Sequence, residues 1–240
     1  MQGVKFLGFD VFGTVVDWRG SVARELRPFL QRHGRGQLDP ATVADEWRAM
    51  YQPSMEPIRK GRRGWTRLSL LHRENLEAVL RRHDLDPASL AEDELADISR
   101  AWERLDPWPD SVAGLTRLKT RFAIGTISNG NVSLMMWLAK YGGLPWDAIA
   151  GAEPTRSYKP QPETYLGSAG LLDLRPEECA LVAAHNDDLK AAQACGFKTA
   201  FIPRPAEHGP GQATDLRAEG DWDAVAADLV DLAQQLGCGE

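Results

Sequence analysis

Four short stretches place polar side chains directly after apolar runs. Asp10 follows Phe6–Phe9, and Ser128-Asn129-Gly130 follows Phe122–Ile127. Ser157-Tyr158-Lys159-Pro160 comes after a weaker apolar stretch at Ala148–Ala150, with Tyr165 six positions beyond Lys159. His185-Asn186-Asp187-Asp188 follows Ala180–Ala184. Together these supply an acid, a hydroxyl with an amide, an ammonium and a second acid cluster. Singly each has an ordinary reading. Asp10 could end a strand or cap a helix. Ser128-Asn129-Gly130 could be a turn, Lys159 a loop lysine, and Asp187 and Asp188 acids that complement a helix dipole. Phe12, two positions after Asp10, can neither donate nor accept a proton.

These positions gain meaning from the elements that must hold them. Val4–Phe9, Phe122–Ile127, Ala180–Ala184 and Thr199–Ile202 read as strands, and Ala148–Ala150 as a fifth. Helical patterns over Ser111–Lys119, Val132–Tyr141, Glu163–Ala169 and Leu189–Cys195 lie between them, with Asp110 expected to cap the first and Gly142-Gly143 to stop the second. The fold class is therefore α/β: a Rossmann-like parallel sheet flanked by helices. In such sheets ligands bind beyond the carboxyl ends of the strands, where all four stretches fall. Trp18–Leu105 is Arg-rich and lacks a strand pattern. Ser21–Arg32, Thr42–Met50, Trp65–His83 and Ala88–Leu105 read as helices. This predicts a core of residues 1–18 and 107–240 with a helical cap of residues 19–106 inserted after the first strand. A final helix is expected over Trp222–Leu236, and the loop Pro203–Gly211, with His208, receives no role.

The 240 residues are 43% hydrophobic, enough for a sizeable core and against disorder. The net charge of -6 predicts no nucleic-acid partner. No apolar run reaches membrane-spanning length, and the first residues show no signal-peptide pattern. Three cysteines without a metal-ligand spacing indicate neither a disulfide framework nor a metal site. A cytoplasmic protein is expected. Met55, Ile58, Trp65 and Leu68 could line an apolar pocket, although such positions favour packing within the cap.

In order along the chain, DVFGT (Asp10–Thr14), ISN (Ile127–Asn129), YKP (Tyr158–Pro160) and HNDD (His185–Asp188) resemble the four motifs of the haloacid dehalogenase superfamily. The chain is most similar to the type II, L-2-haloacid dehalogenase-like group, whose cap Trp-Arg pair is repeated as Trp47-Arg48. Superfamily phosphatases usually carry a second Asp where this chain has Phe12, to protonate a departing alkoxide. A halide is a better leaving group and needs no such acid. The resemblance therefore implies a hydrolase acting on carbon–halide bonds, with a small 2-haloacid as substrate, no cofactor and a homodimeric assembly. Asp10 would attack C2 and form an ester that water cleaves. Thr14 would hold the Asp10 loop, and Arg48 would receive the halide or orient the substrate. Ser128 and Asn129 would take the carboxylate, Lys159 would keep Asp10 ionised, and Asp188 would orient Lys159 or activate water. Val11, Phe12, Trp65, Tyr165, His185 and Asn186 complete the expected substrate surroundings. His185 stands where relatives have an asparagine, as a donor or as a base. The alternative is a phosphatase of the same superfamily, with Mg²⁺ held by Asp10, Asp187 and Asp188.

Overall fold

The structure, a computed structural model, describes residues 1–239. The chain opens with β1 (Phe6–Phe9) and, after a tight loop, β2 (Val16–Asp17). Five helices follow: α1 (Trp18–Arg32), α2 (Pro40–Ala49), α3 (Tyr51–Arg59), α4 (Leu68–Arg82) and α5 (Glu92–Ser99). The chain returns through β3 (Asp106–Pro107), which pairs antiparallel with β2, Val16 opposite Pro107 and Asp17 opposite Asp106. An alternating series follows: α6 (Ser111–Lys119), β4 (Ala123–Ser128), α7 (Val132–Gly142), β5 (Ala148–Gly151), α8 (Ala152–Thr155), α9 (Pro162–Gly170), β6 (Cys179–Ala183), α10 (Asn186–Ala194) and β7 (Lys198–Phe201). Last come β8 (Ala224–Val225) and α11 (Leu229–Gln235).

Six strands form one sheet in the order β5-β4-β1-β6-β7-β8, every pairing parallel. β1 lies near its middle, and all four of its residues are buried. Continuous apolar runs suit a parallel sheet covered on both faces, which is why β1 and β6 carry no alternating pattern. Full burial of Phe6 or Phe9 stabilises the fold by about 1.5–3 kcal/mol each. Since β1 is flanked by β4 and β6, the loops after these three strands emerge side by side.

The expected α/β sheet is present, with strand limits shifted by a residue or two. Several helix expectations need correction. The expected final helix from Trp222 begins only at Leu229, because Ala224–Val225 pairs with the neighbouring strand β7. Asp228 then caps α11 by accepting from the Asp231 amide. Ala88–Leu105 is broken into α5 between short 3₁₀ turns at Pro87–Ser89 and Arg100–Glu103. Helix α3 has no counterpart among the expected helices; its Pro53 and Pro57 disguise it. Asp110 does not cap α6 through its side chain. It accepts two bonds from Arg204, at 2.7 and 2.8 Å, and one from the Leu229 amide. Gly143 does end α7, in the left-handed region at φ 65°.

Candidate active site

The loop after β1 turns sharply, with Gly13 at φ 89° and the Val15 and Val16 amides both donating to the Val11 carbonyl. This turn lifts Asp10 to the carboxyl edge of the sheet. It also carries Phe12, 2% exposed, into the helical layer, where it meets Trp102 and Tyr51 edge-on at 5.7 and 6.4 Å. The Thr14 hydroxyl donates to Asp10 Oδ2 at 2.8 Å and accepts from the Ala184 amide at 2.9 Å, tying the β1 loop to the end of β6.

Lys159, 6% exposed, reaches Asp10 Oδ1 at 3.0 Å and Asp188 Oδ2 at 2.6 Å. Its own amide donates to Asn129 Oδ1, which fixes the Lys159 loop against the loop after β4. The Tyr165 hydroxyl donates to Asp188 Oδ1 at 2.6 Å. Burial alone would push the Asp10 carboxyl up, but Lys159 and His185 overcome it and hold the group well below the usual carboxylate range. Burial opposes the charge of Lys159, yet the two acids raise its ammonium above the ordinary value. Asp188 is raised by its burial; Lys159 opposes this and the Asp10 charge adds to it. Of the two acids that share Lys159, Asp188 is the one raised toward protonation and Asp10 the one held ionised.

A cavity of about 750 Å³ opens above Asp10, with Phe12, Arg48, Tyr51, Asn129 and His185 among its walls. Arg48 leaves the last turn of α2 and lies over three aromatic rings: Tyr51 at 4.1 Å, Trp18 at 5.3 Å and Phe12 at 5.9 Å. Its Nη1 is buried without a hydrogen-bond partner. A half-buried arginine that keeps a spare buried donor beside apolar rings is suited to an anion.

His185 stands against both a familiar residue and an unexpected one. Its Nδ1 lies 3.2 Å from Asp10 Oδ2, and its Nε2 lies 2.9 and 3.1 Å from the two oxygens of Glu207. Glu207 is 1% exposed and accepts from Trp18 Nε1 at 3.1 Å. A Cβ at Gly13 would collide with its carboxylate, so the glycine clears space for Glu207 as well as making the turn. Burial disfavours a charged His185, but Glu207 and Asp10 outweigh it and raise the imidazole well above its usual value. Sequence reasoning missed Glu207, Tyr51 and Trp18. The loop holding Glu207 follows β7, so the same strand-end rule would have drawn attention to it.

The remaining expected residues fall in different places. Ser128 is fully buried, and its hydroxyl accepts from the Gly130 amide. Val11 is buried in the turn. Tyr165 reaches the cluster only through Asp188. Asn186 faces away from the cavity: its side chain donates to Asp215 and the Arg217 carbonyl and accepts from Glu219 and Trp222, anchoring the 215–222 loop. Trp65 packs on Tyr158 at 4.8 Å and lines a separate cavity with Arg63, Arg67 and Arg156. Met55 and Leu68 are fully buried packing residues. For the Mg²⁺ of the alternative expectation the donor set does not fit. Asp10 and Asp188 face one ammonium, the Phe12 side chain offers no donor, and Asp187 is exposed. Among the described residues no group of three or more His, Cys, Asp or Glu is arranged to hold a metal ion.

A family model for haloacid dehalogenase-like hydrolases matches residues 4–196. The chain is similar to a solved defluorinating L-2-haloacid dehalogenase, at 50% identity and a TM-score of 0.96, over 98% of this chain and 96% of the other. A second solved L-2-haloacid dehalogenase is 48% identical with a TM-score of 0.91, over 98% and 99% of the two chains. The (S)-2-haloacid dehalogenase of Xanthobacter autotrophicus is 27% identical over 84% of this chain and 76% of its own length.

Proposed function

The chain belongs to the haloacid dehalogenase-like hydrolases, and from that premise we propose that it is an (S)-2-haloacid dehalogenase, hydrolysing short 2-haloalkanoic acids to 2-hydroxy acids and halide. The observation that carries this is the pairing of an ionised Asp10, salt-bridged to Lys159, with a buried aromatic Phe12 where an acid would be needed to protonate an alkoxide. The likeness to two L-2-haloacid dehalogenases at about half identity supports it.

Asp10 Oδ2 already accepts from Thr14 and lies beside His185, whereas Oδ1 has only Lys159. Oδ1 therefore keeps a lone pair for attack. It bonds to C2 of the substrate as the C2–halogen bond breaks, and the bonding pair leaves with the halide. Arg48 receives the halide, the aromatic rings below it walling off water. Asn129 and neighbouring amides take the substrate carboxylate. Water then attacks the ester carbonyl, and Asp188, the more readily protonated acid, accepts its proton. In this reading residues 1–18 and 107–240 are the catalytic core and 19–106 the cap, hinged at the β2–β3 pair. The enzyme is a cytoplasmic homodimer that works without a cofactor.

Replacing Arg48 by Ala is expected to lower kcat/KM for 2-chloropropionate about 10²–10³-fold, the usual effect of losing one well-placed donor. The protein should stay folded with a modest fall in melting temperature, since Nη1 bonds to nothing in the protein but the guanidinium packs over three rings. Unchanged kinetics would place the halide elsewhere. The reading as a whole is tested by halide release from chloro-, bromo- and fluoroacetate and both 2-chloropropionate enantiomers, with EDTA present. Release that EDTA leaves unaffected, with only the S enantiomer consumed, is the expected result. If the panel is inert and p-nitrophenyl phosphate is cleaved with Mg²⁺, the phosphatase reading replaces it.

A further inference from the structure

We infer that His185, held by Glu207, is the charged half of an oxyanion hole for hydrolysis of the Asp10 ester, with the Thr14 hydroxyl as the other half. The inference rests on the ester reading above and adds the residues that accelerate its second step.

The geometry begins with the two oxygens of Asp10. Oδ2 takes the Thr14 hydroxyl at 2.8 Å and faces His185 Nδ1 at 3.2 Å. Once Oδ1 carries the substrate carbon, Oδ2 is the ester carbonyl oxygen. Water attack on Cγ moves the carbonyl electron pair onto Oδ2, to which Thr14 already donates and beside which His185 Nδ1 stands at 3.2 Å. The intermediate collapses by breaking the Cγ–Oδ1 bond. The 2-hydroxy acid leaves with Oδ1 and takes up one water proton; the other passes through Asp188 to solvent. Asp10 is restored with one oxygen from water.

His185 is a donor here because both its ring nitrogens face carboxylate oxygens, Asp10 on one side and Glu207 on the other. Carboxylates only accept, so satisfying both requires hydrogen on both nitrogens, an imidazolium. The charged groups around it agree. Behind Asp10 stand Lys159 and Asp188; around Glu207 stand Arg48 and His208, the latter at 3.6 Å. Asp187, on the same helix as Asp188, is exposed. Glu207 is a positioning residue. Trp18 Nε1 holds its carboxylate, in space that Gly13 leaves open, and the carboxylate in turn holds the ring.

The test exploits the fact that chloroacetate and bromoacetate give the same ester. In His185→Ala, rapid-quench mass spectrometry should find that ester accumulating on the Asp10 peptide after one equivalent of halide per site is released. Turnover should fall about 10²–10³-fold to a rate shared by both halides. Glu207→Gln gives an independent test even if His185→Ala does not fold: the alkaline limb of kcat should move to lower pH, because the imidazolium loses its carboxylate partner. The inference is overturned if His185→Ala slows the first halide release in a halide-dependent way without ester accumulation. It is equally overturned if Glu207→Gln moves the acidic limb, the mark of a neutral base. Absence of both halide and ester from the unaltered enzyme would instead overturn the ester reading itself.

Discussion

Asp10→Asn is expected to abolish halide release, by roughly 10⁴-fold or more, while the protein stays folded. The substitution keeps the size of the side chain, and its amide oxygen can still accept from Thr14, so the bond from the Ala184 amide to Thr14 persists. What is lost is the anionic oxygen that attacks C2, for which nothing else in the cavity substitutes. Asp188 is tied to Lys159 and Tyr165, and Glu207 to His185 and Trp18. The measurement is single-turnover halide release beside circular dichroism, with mass spectrometry confirming that the introduced amide has not deamidated. Full activity in an undeamidated sample would remove Asp10 from the nucleophile's role.

Lys159→Met should have the second-largest effect, on stability as well as rate. The ammonium is 6% exposed and separates two buried carboxylates at 3.0 and 2.6 Å. Removing one member of a buried ionic cluster leaves uncompensated charge and costs about 3–5 kcal/mol. For a chain of this length that corresponds to a fall in melting temperature of roughly 10 °C. The pH dependence has a definite sign. Asp10 is held below its unfolded value, so its pairing stabilises the protein above the ordinary carboxylate range and is lost as pH falls through the folded value. Asp188, held above its unfolded value, acts in the opposite direction. Without Lys159 the first contribution goes and the two carboxylates repel, so the variant should lose most stability near neutral pH. Activity should fall at least about 100-fold, because a protonated Asp10 cannot attack. Thermal melts from about pH 4 to 8, spanning the carboxylate and neutral ranges, check this. A melting profile matching the unaltered protein would mean that solvent, not Lys159, balances the two acids.

Legibility in the sequence follows physical range. Strands β1, β4 and β6 are readable because a parallel strand buried on both faces needs an unbroken apolar run, and such runs are local. The polar residues closing those runs are readable with them, which is why Asp10, Asn129, Lys159, Asp188 and His185 meet at one edge. Trp65 and Tyr51 go the other way. The prolines of α3 hide a helix whose first residue is Tyr51, so the local pattern points to Trp65 for an aromatic wall, yet Trp65 packs on Tyr158 instead. Asn186 resembles a site residue by its neighbours, but the first turn of α10 points it toward the 215–222 loop.

By itself the sequence determined the α/β class, the inserted helical block and the charged set at the strand ends, because each depends on periodicity or adjacency within a few residues. Only the tertiary structure decided the pairing of His185 with Glu207, of Arg48 with three aromatic rings and of Lys159 with two acids. Most of those partners come from segments far apart in the chain. Which of them meet is set by the order β4-β1-β6-β7 and the turn at Gly13, and the protonation of His185 follows from burial and partners that no local pattern encodes.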